Sequence, residues 1–122
     1  MELLPKMRAG DRVEEKVKVY ISGKITGLHP RVYRGKFKAA MKKLNEAGHS
    51  AINPARLDVY DLTYAQYMAL DGLLIKFSDA IYMLDNWEDS KGARMEKELA
   101  ESLGLKVMYE KEGIDEEVKE NN

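Results

Sequence analysis

Two acidic side chains fall where the surrounding pattern calls for apolar ones. The stretch from Asp85 to Ala100, DNWEDSKGARMEKELA, reads as the end of a strand, a short polar loop and the start of a helix. At about 100° per residue, Gly92, Glu96, Leu99 and Leu103 fall within about 60° of one another, while Arg94, Lys97, Glu98 and Glu101 take the opposite side. Glu96 is therefore a carboxylate on the apolar face, beside a glycine that leaves space above it. Burying a carboxylate is costly unless something needs it there. A glycine in the first turns also costs a helix about 1 kcal/mol against alanine. Upstream, Tyr64, Tyr67, Met68, Leu74 and Ile75 share a broad apolar face with Asp71 in its middle. Paired carboxylates are what glycosidic-bond chemistry uses, one as nucleophile and one in proton transfer. Glu96 and Asp71 are thus the candidate catalytic residues. The plainer readings are a helix glutamate paired with Lys or Arg, and a buried aspartate that caps a neighbouring loop.

Several residues around the pair could hold a substrate. Ser90 or Asp89 can cap the helix that carries Glu96. A hydroxyl and free amides at a helix start suit an anion. Ser90 precedes Glu96 by six residues, about 9 Å of ideal helix, which is broadly the scale of a 5′-phosphate and the anomeric carbon of one sugar. Routine capping is the plain alternative for Ser90. Gly92 leaves room for close approach. Trp87 is placed either to wall a base pocket or to cover the sheet edge. Tyr20 points from the first strand towards the loop GKITG, with core packing as its alternative. Gly23 and Lys24 open that loop, and glycines there can bring backbone amides close to a phosphate. The glycine triplet of a dinucleotide fingerprint is missing.

The elements that must position these groups alternate. Val17 to Ser22, VKVYIS, is a β-branched and aromatic strand. Arg31 to Ala47 follows three-and-four spacing through Tyr33, Phe37, Ala40, Met41 and Leu44, and Gly48 ends that helix. His49 to Asn53 is a short strand, and Asn53-Pro54 marks a turn or loop. Thr63 caps a helix running to about Lys76. Strand Ala80 to Leu84, the helix of Glu96 closing near Gly104, and strand Leu105 to Tyr109 complete the run. His29 and His49 read as ordinary loop and strand residues. Alternation of this kind predicts a flavodoxin-like or Rossmann-like three-layer α/β sandwich, with helices on both faces of a parallel sheet of four or five strands. Strand order 2-1-3-4 would set the carboxyl ends of strands one and three side by side at a switch point, where such sheets bind ligands. Residues 1–16 read as a flexible extension, 17–110 as the domain and 111–122 as an acidic tail.

Composition narrows the classes. The chain has 122 residues and net charge −1 with mixed signs, so no broad basic face for a nucleic-acid polymer is implied. With no cysteine there is no disulfide framework and no thiol nucleophile, and two histidines alone argue against a structural zinc site. No apolar run approaches a membrane span, and the first sixteen residues lack the centre of a signal peptide. A soluble cytoplasmic protein without metal or organic cofactor is expected.

The segments KVYISGKITG, NP, YMALDGLLIKFSDAIYML and WEDSKGARMEKELA resemble the nucleoside 2-deoxyribosyltransferase superfamily, over about residues 17 to 109. The strongest part is Ser-x-Gly-x-x-x-Glu-x-x-x-Ala, from Ser90 to Ala100. The resemblance implies that Glu96 attacks an anomeric carbon, that Asp71 orients the sugar and manages protons, and that Tyr20 and Gly23 line the ligand site. Transferases of that superfamily carry aspartate where this chain has Ser90. A serine there is similar to the 2′-deoxynucleoside 5′-monophosphate N-glycosidases, in which it contacts the phosphate. Those hydrolases also carry an arginine near Thr26, which this chain lacks; Lys24 is the nearest cation. The implied function is N-glycosidic bond cleavage in a nucleoside 5′-monophosphate or nucleoside, by a homodimer. The alternatives are a nucleoside 2-deoxyribosyltransferase, or a non-catalytic nucleotide-binding or sensing module on the same fold.

Overall fold

The computed structural model describes residues 16–113. Strand β1 (Lys18–Ser22) leads to helix α1 (Pro30–Glu46), strand β2 (Ser50–Ile52) and a 3₁₀ stretch (Pro54–Tyr60). Helix α2 (Tyr64–Lys76), strand β3 (Ala80–Met83), a 3₁₀ turn (Trp87–Asp89), helix α3 (Lys91–Ser102) and strand β4 (Lys106–Tyr109) follow. The described strands form one four-stranded sheet in the order β2-β1-β3-β4, every pair parallel. This is the expected flavodoxin-like three-layer α/β sandwich, with four strands among the described residues.

Side-chain alternation along β1 separates the layers. Val19 and Ile21 join Tyr82, Leu84, Met108 and the α1 residues Tyr33, Phe37, Ala40 and Leu44 in one core. Tyr20 faces the other way, with Ile81, Met83, Ile75 of α2, and Ala93 and Ala100 of α3. One helix thus covers one face and two cover the other. The end of β1 projects its even-numbered side chains under α2 and α3.

The helix ends are set by local chemistry. His29, expected to be an ordinary loop residue, caps α1: its Nδ1 accepts from the Arg31 amide at 3.0 Å, and Pro30 sits at the first position, where its missing N–H costs nothing. Gly48, just past α1, has φ +92°, a left-handed conformation that glycine adopts freely. Thr63 and Gln66 form a reciprocal capping box on α2. Of the two residues able to cap α3, Ser90 does so, its Oγ accepting from the Ala93 amide at 3.0 Å.

The inward face of α3 differs from the expected stripe. It is Ala93, Glu96 and Ala100, turned roughly 60° from the predicted one. Leu103 is 44% exposed and Leu99 only partly buried. Small residues at 93 and 100 let the helix lie close to the sheet, and Glu96 is carried in between them. On α2, Tyr64 is likewise exposed, while Ile75 is fully buried. No helix among the described residues is long and apolar enough to cross a membrane. The extension expected over 1–16 and the tail over 111–122 lie almost wholly outside the described residues.

Candidate active site

Tyr20 and Ser22 are two residues apart on β1, so both side chains emerge on the same face. Tyr20 lies level with Ile52 and Ile81, and Ser22 level with Met83. Glu96 descends from α3 onto this pair. Its Oε1 accepts from the Ser22 hydroxyl at 2.7 Å, and its Oε2 accepts from the Tyr20 hydroxyl at 3.0 Å. Glu96 retains only 8% exposure. It is bonded to neutral donors, so the plain reading of a surface glutamate paired with Lys or Arg does not hold.

Asp71 comes in from α2, close enough to Glu96 and Tyr20 for the three groups to perturb one another. Its Oδ1 is buried and takes no hydrogen bond among the described residues. A buried acceptor left open in this way asks for a partner, and the residue that carries it lines a cleft. Burial pushes the Glu96 carboxyl up to about 8, and the Asp71 charge pushes the same way; the Ser22 and Tyr20 donors offset part of this. Asp71 is raised as well, chiefly by burial, against the pull of hydrogen bonding with Glu96 and Tyr20. Tyr20 is held well above its usual value by burial and by the two carboxyl groups, so it remains a donor. Two carboxyl groups this close disfavour ionising together, an arrangement suited to sharing a proton.

The cleft above them has a volume of about 730 Å³ and crosses the carboxyl end of the sheet. On one side it is lined by Asp71, Glu96, Ser90 and Gly92; on the other by Tyr33, Phe37, Pro54 and Asp58; Lys24 and Gly23 also line it. The two predicted loops do meet, since the Lys24 amide donates to Asn86 Oδ1 at 3.1 Å. Gly23 is needed for packing: a Cβ there would stand 2.6–2.9 Å from the Leu84 side chain. At Gly92 a Cβ would stand 3.5 Å from the Tyr64 hydroxyl and 3.7 Å from the Met68 sulfur, contact without clash.

Trp87 is the exception among the predicted substrate residues. It does not line the cleft. Its indole tilts against Tyr109, with ring centroids 6.1 Å apart, and Lys97 Nζ stands 5.3 Å from its centroid. β4 is an edge strand, and the ring covers it, the plainer of the two readings. Conversely, Ser22 escaped the sequence reading, although its period-two spacing from Tyr20 was the available signal. Asp58, in a charged loop, offered none. Among the described residues no group of three or more His, Asp or Glu side chains converges as a metal site.

Residues 17–109 match the family described as Domain of unknown function (DUF4406). The chain belongs to that family. Its matched span begins just before β1 and ends on the last residue of β4, so it contains the whole carboxylate pair and the described lining of the cleft. Among curated proteins there is no significant match. The family description names no reaction, and the chemistry must be argued from the site.

Proposed function

We propose that this protein cleaves the N-glycosidic bond of a nucleoside 5′-monophosphate or nucleoside through a covalent glycosyl–Glu96 intermediate. The observation that carries the reading is the buried Glu96 carboxyl, held by Tyr20 and Ser22 beside Asp71 and open to a cleft. The reactive form is reached when Glu96 passes its proton to Asp71, which leaves Glu96 ionised and Asp71 an acid. A Glu96 oxygen attacks the anomeric carbon, the C–N bond breaks with its electron pair going to the base, and Asp71 gives the base its proton. Water then attacks the same carbon, Asp71 takes a proton from it, and the bond to Glu96 breaks to release the sugar. Ser22 and Tyr20 hold the carboxylate in line and keep it from turning away. The Ser90 hydroxyl accepts the Ala93 amide and still has its own hydrogen to donate; with Lys24 and Lys91 on the lining it suits a 5′-phosphate.

The test is direct. The protein is incubated with a panel of nucleosides and nucleoside 5′-monophosphates, and free base is followed by chromatography. Release without an added base supports hydrolysis; exchange that needs a second base supports a transferase. Binding without release would overturn the catalytic reading in favour of a binding or sensing module.

Gly92→Ala separates site from scaffold. The added methyl suits the helix by about 1 kcal/mol, so the melting temperature should hold or rise. Because the methyl narrows the cleft beside Tyr64, base release should fall about tenfold to a hundredfold. Activity equal to wild type would contradict a substrate seated against Gly92.

Homodimer formation is the further part of the reading. Helix α2 is apolar on both sides, and its outer residues Leu70 and Leu73, with Phe77 just past its end, are exposed, an arrangement that a second copy would cover. Sedimentation should give twice the chain mass; a monomer at micromolar concentration would remove this part. A nucleotide substrate also implies a cytoplasmic site of action.

A further inference from the structure

We propose that Asp58 reads the base, accepting an N–H from an amino-substituted nucleobase such as adenine or cytosine in the half of the cleft next to α1. This rests on the reading that the cleft takes a nucleoside or nucleotide, and it adds a specificity determinant remote from the carboxylate pair.

Asp58 is rigidly placed. The 3₁₀ stretch that carries it is capped at its start by Asn53, whose Oδ1 accepts the Ala55 amide at 3.0 Å, and it ends at Asp61 in a left-handed conformation with φ 52°. The Asp58 side chain is 17% exposed and lines the cleft. Both of its hydrogen bonds fall on one oxygen. Oδ2 accepts from the Tyr33 hydroxyl at 2.7 Å and from Arg34 Nε at 2.7 Å. Oδ1 takes none among the described residues. The Arg34 guanidinium holds the carboxyl below its usual range, so it stays ionised and can only accept.

A fixed anionic acceptor at one end of a cleft discriminates by donor pattern. An exocyclic amine is attracted to it, and a carbonyl oxygen at the same ring position is repelled. Adenine and hypoxanthine differ in this way, as do cytosine and uracil. Phe37, Pro54, Ala55 and Ile25 line the same half of the cleft and can cover the faces of a planar base. With the base there, the sugar lies between it and Glu96.

The two donors on Oδ2 make the test sharp. In Asp58→Asn the carbonyl oxygen must stay where Tyr33 and Arg34 donate, so the amide nitrogen takes the place of Oδ1. An acceptor becomes a donor with little change in shape. Affinities of full-length wild type and Asp58→Asn are measured by calorimetry for the 2′-deoxy 5′-monophosphates of adenosine, inosine, cytidine and uridine. The wild type should bind each amino member at least about tenfold tighter than its keto partner. In Asp58→Asn that preference should vanish or reverse. Equal affinities in the wild type, no binding of any of the four, or an unchanged preference in a folded Asp58→Asn would each overturn the proposal. Should Asp58→Asn fail to fold, the wild-type ratios alone decide. Base release is scored in parallel. Release that ignores the amino group sinks the role of Asp58 and leaves the glycosidase reading standing; selective binding without release does the reverse.

Discussion

Replacing Glu96 by glutamine is expected to abolish base release, with kcat lowered by at least about 10³-fold, while the protein stays folded. Glutamine has the same shape and still offers an oxygen to Tyr20 or Ser22, so the packing between Ala93 and Ala100 is kept. It cannot form the glycosyl ester, because an amide oxygen is a poor nucleophile and no anion is left to stabilise the oxocarbenium-like transition state. Asp71→Asn should do less, about 10²-fold, since it removes proton transfer but not attack. The order of the two effects matters. If Asp71→Asn were the more damaging and Glu96→Gln nearly silent, the roles assigned to the two acids would be exchanged or wrong. Chromatographic assay of free base with both variants decides this.

The second large effect is on stability, and it favours the variant that has lost activity. The Glu96 carboxyl lies at about 8 in the folded protein against 4.5 for an unperturbed glutamate. Between these values the folded chain holds a proton that the unfolded chain has lost, so stability falls as pH rises. The contribution is fully present below about 4.5 and is lost as pH climbs through 8. Asp71 is also raised and acts in the same direction. Above 8 the fold must keep a buried Glu96 anion beside Asp71. Glu96→Gln removes that anion and should stabilise the protein by a few kcal/mol at pH 9, raising the melting temperature by about 10 °C or more. At pH 5 the variant and the wild type should melt close together. Thermal melts across pH 5–9 check this. A variant that melts at the same temperature as wild type at pH 9 would show that Glu96 pays no penalty for its burial.

How much of this could be read beforehand depends on which physical signal each residue carries. The sheet order was legible because alternating strands and helices leave few ways to bury both faces of a parallel sheet. Glu96 and Asp71 were legible because each breaks an apolar face, and a carboxylate there is expensive. Leu103 was misjudged because a helical wheel treats every turn alike, whereas α3 touches the sheet along its Ala93, Glu96 and Ala100 face and leaves the residues after Ala100 exposed. Trp87 had two plausible seats, and only the tertiary contact with Tyr109 chooses the edge strand. Ser22 was passed over since a serine at a strand end looks like a turn residue; its meaning appears once Tyr20 and Glu96 are known to share its side of the sheet. Asp58 carried no periodic signal at all. Its importance comes from Tyr33 and Arg34, residues brought to it by the return of the chain across α1.

A covalent bond between Glu96 and a sugar carbon is what sets this mechanism apart from its alternatives. The most direct measurement is the intact mass of the protein, acid-quenched within milliseconds to seconds of mixing with a 2′-deoxynucleoside 5′-monophosphate that it turns over. The expected result is an added deoxyribosyl 5′-phosphate, localised by proteolysis to the peptide that contains Glu96, and no such adduct on Glu96→Gln. Base release with no adduct at any time, undiminished in Glu96→Gln, would contradict it.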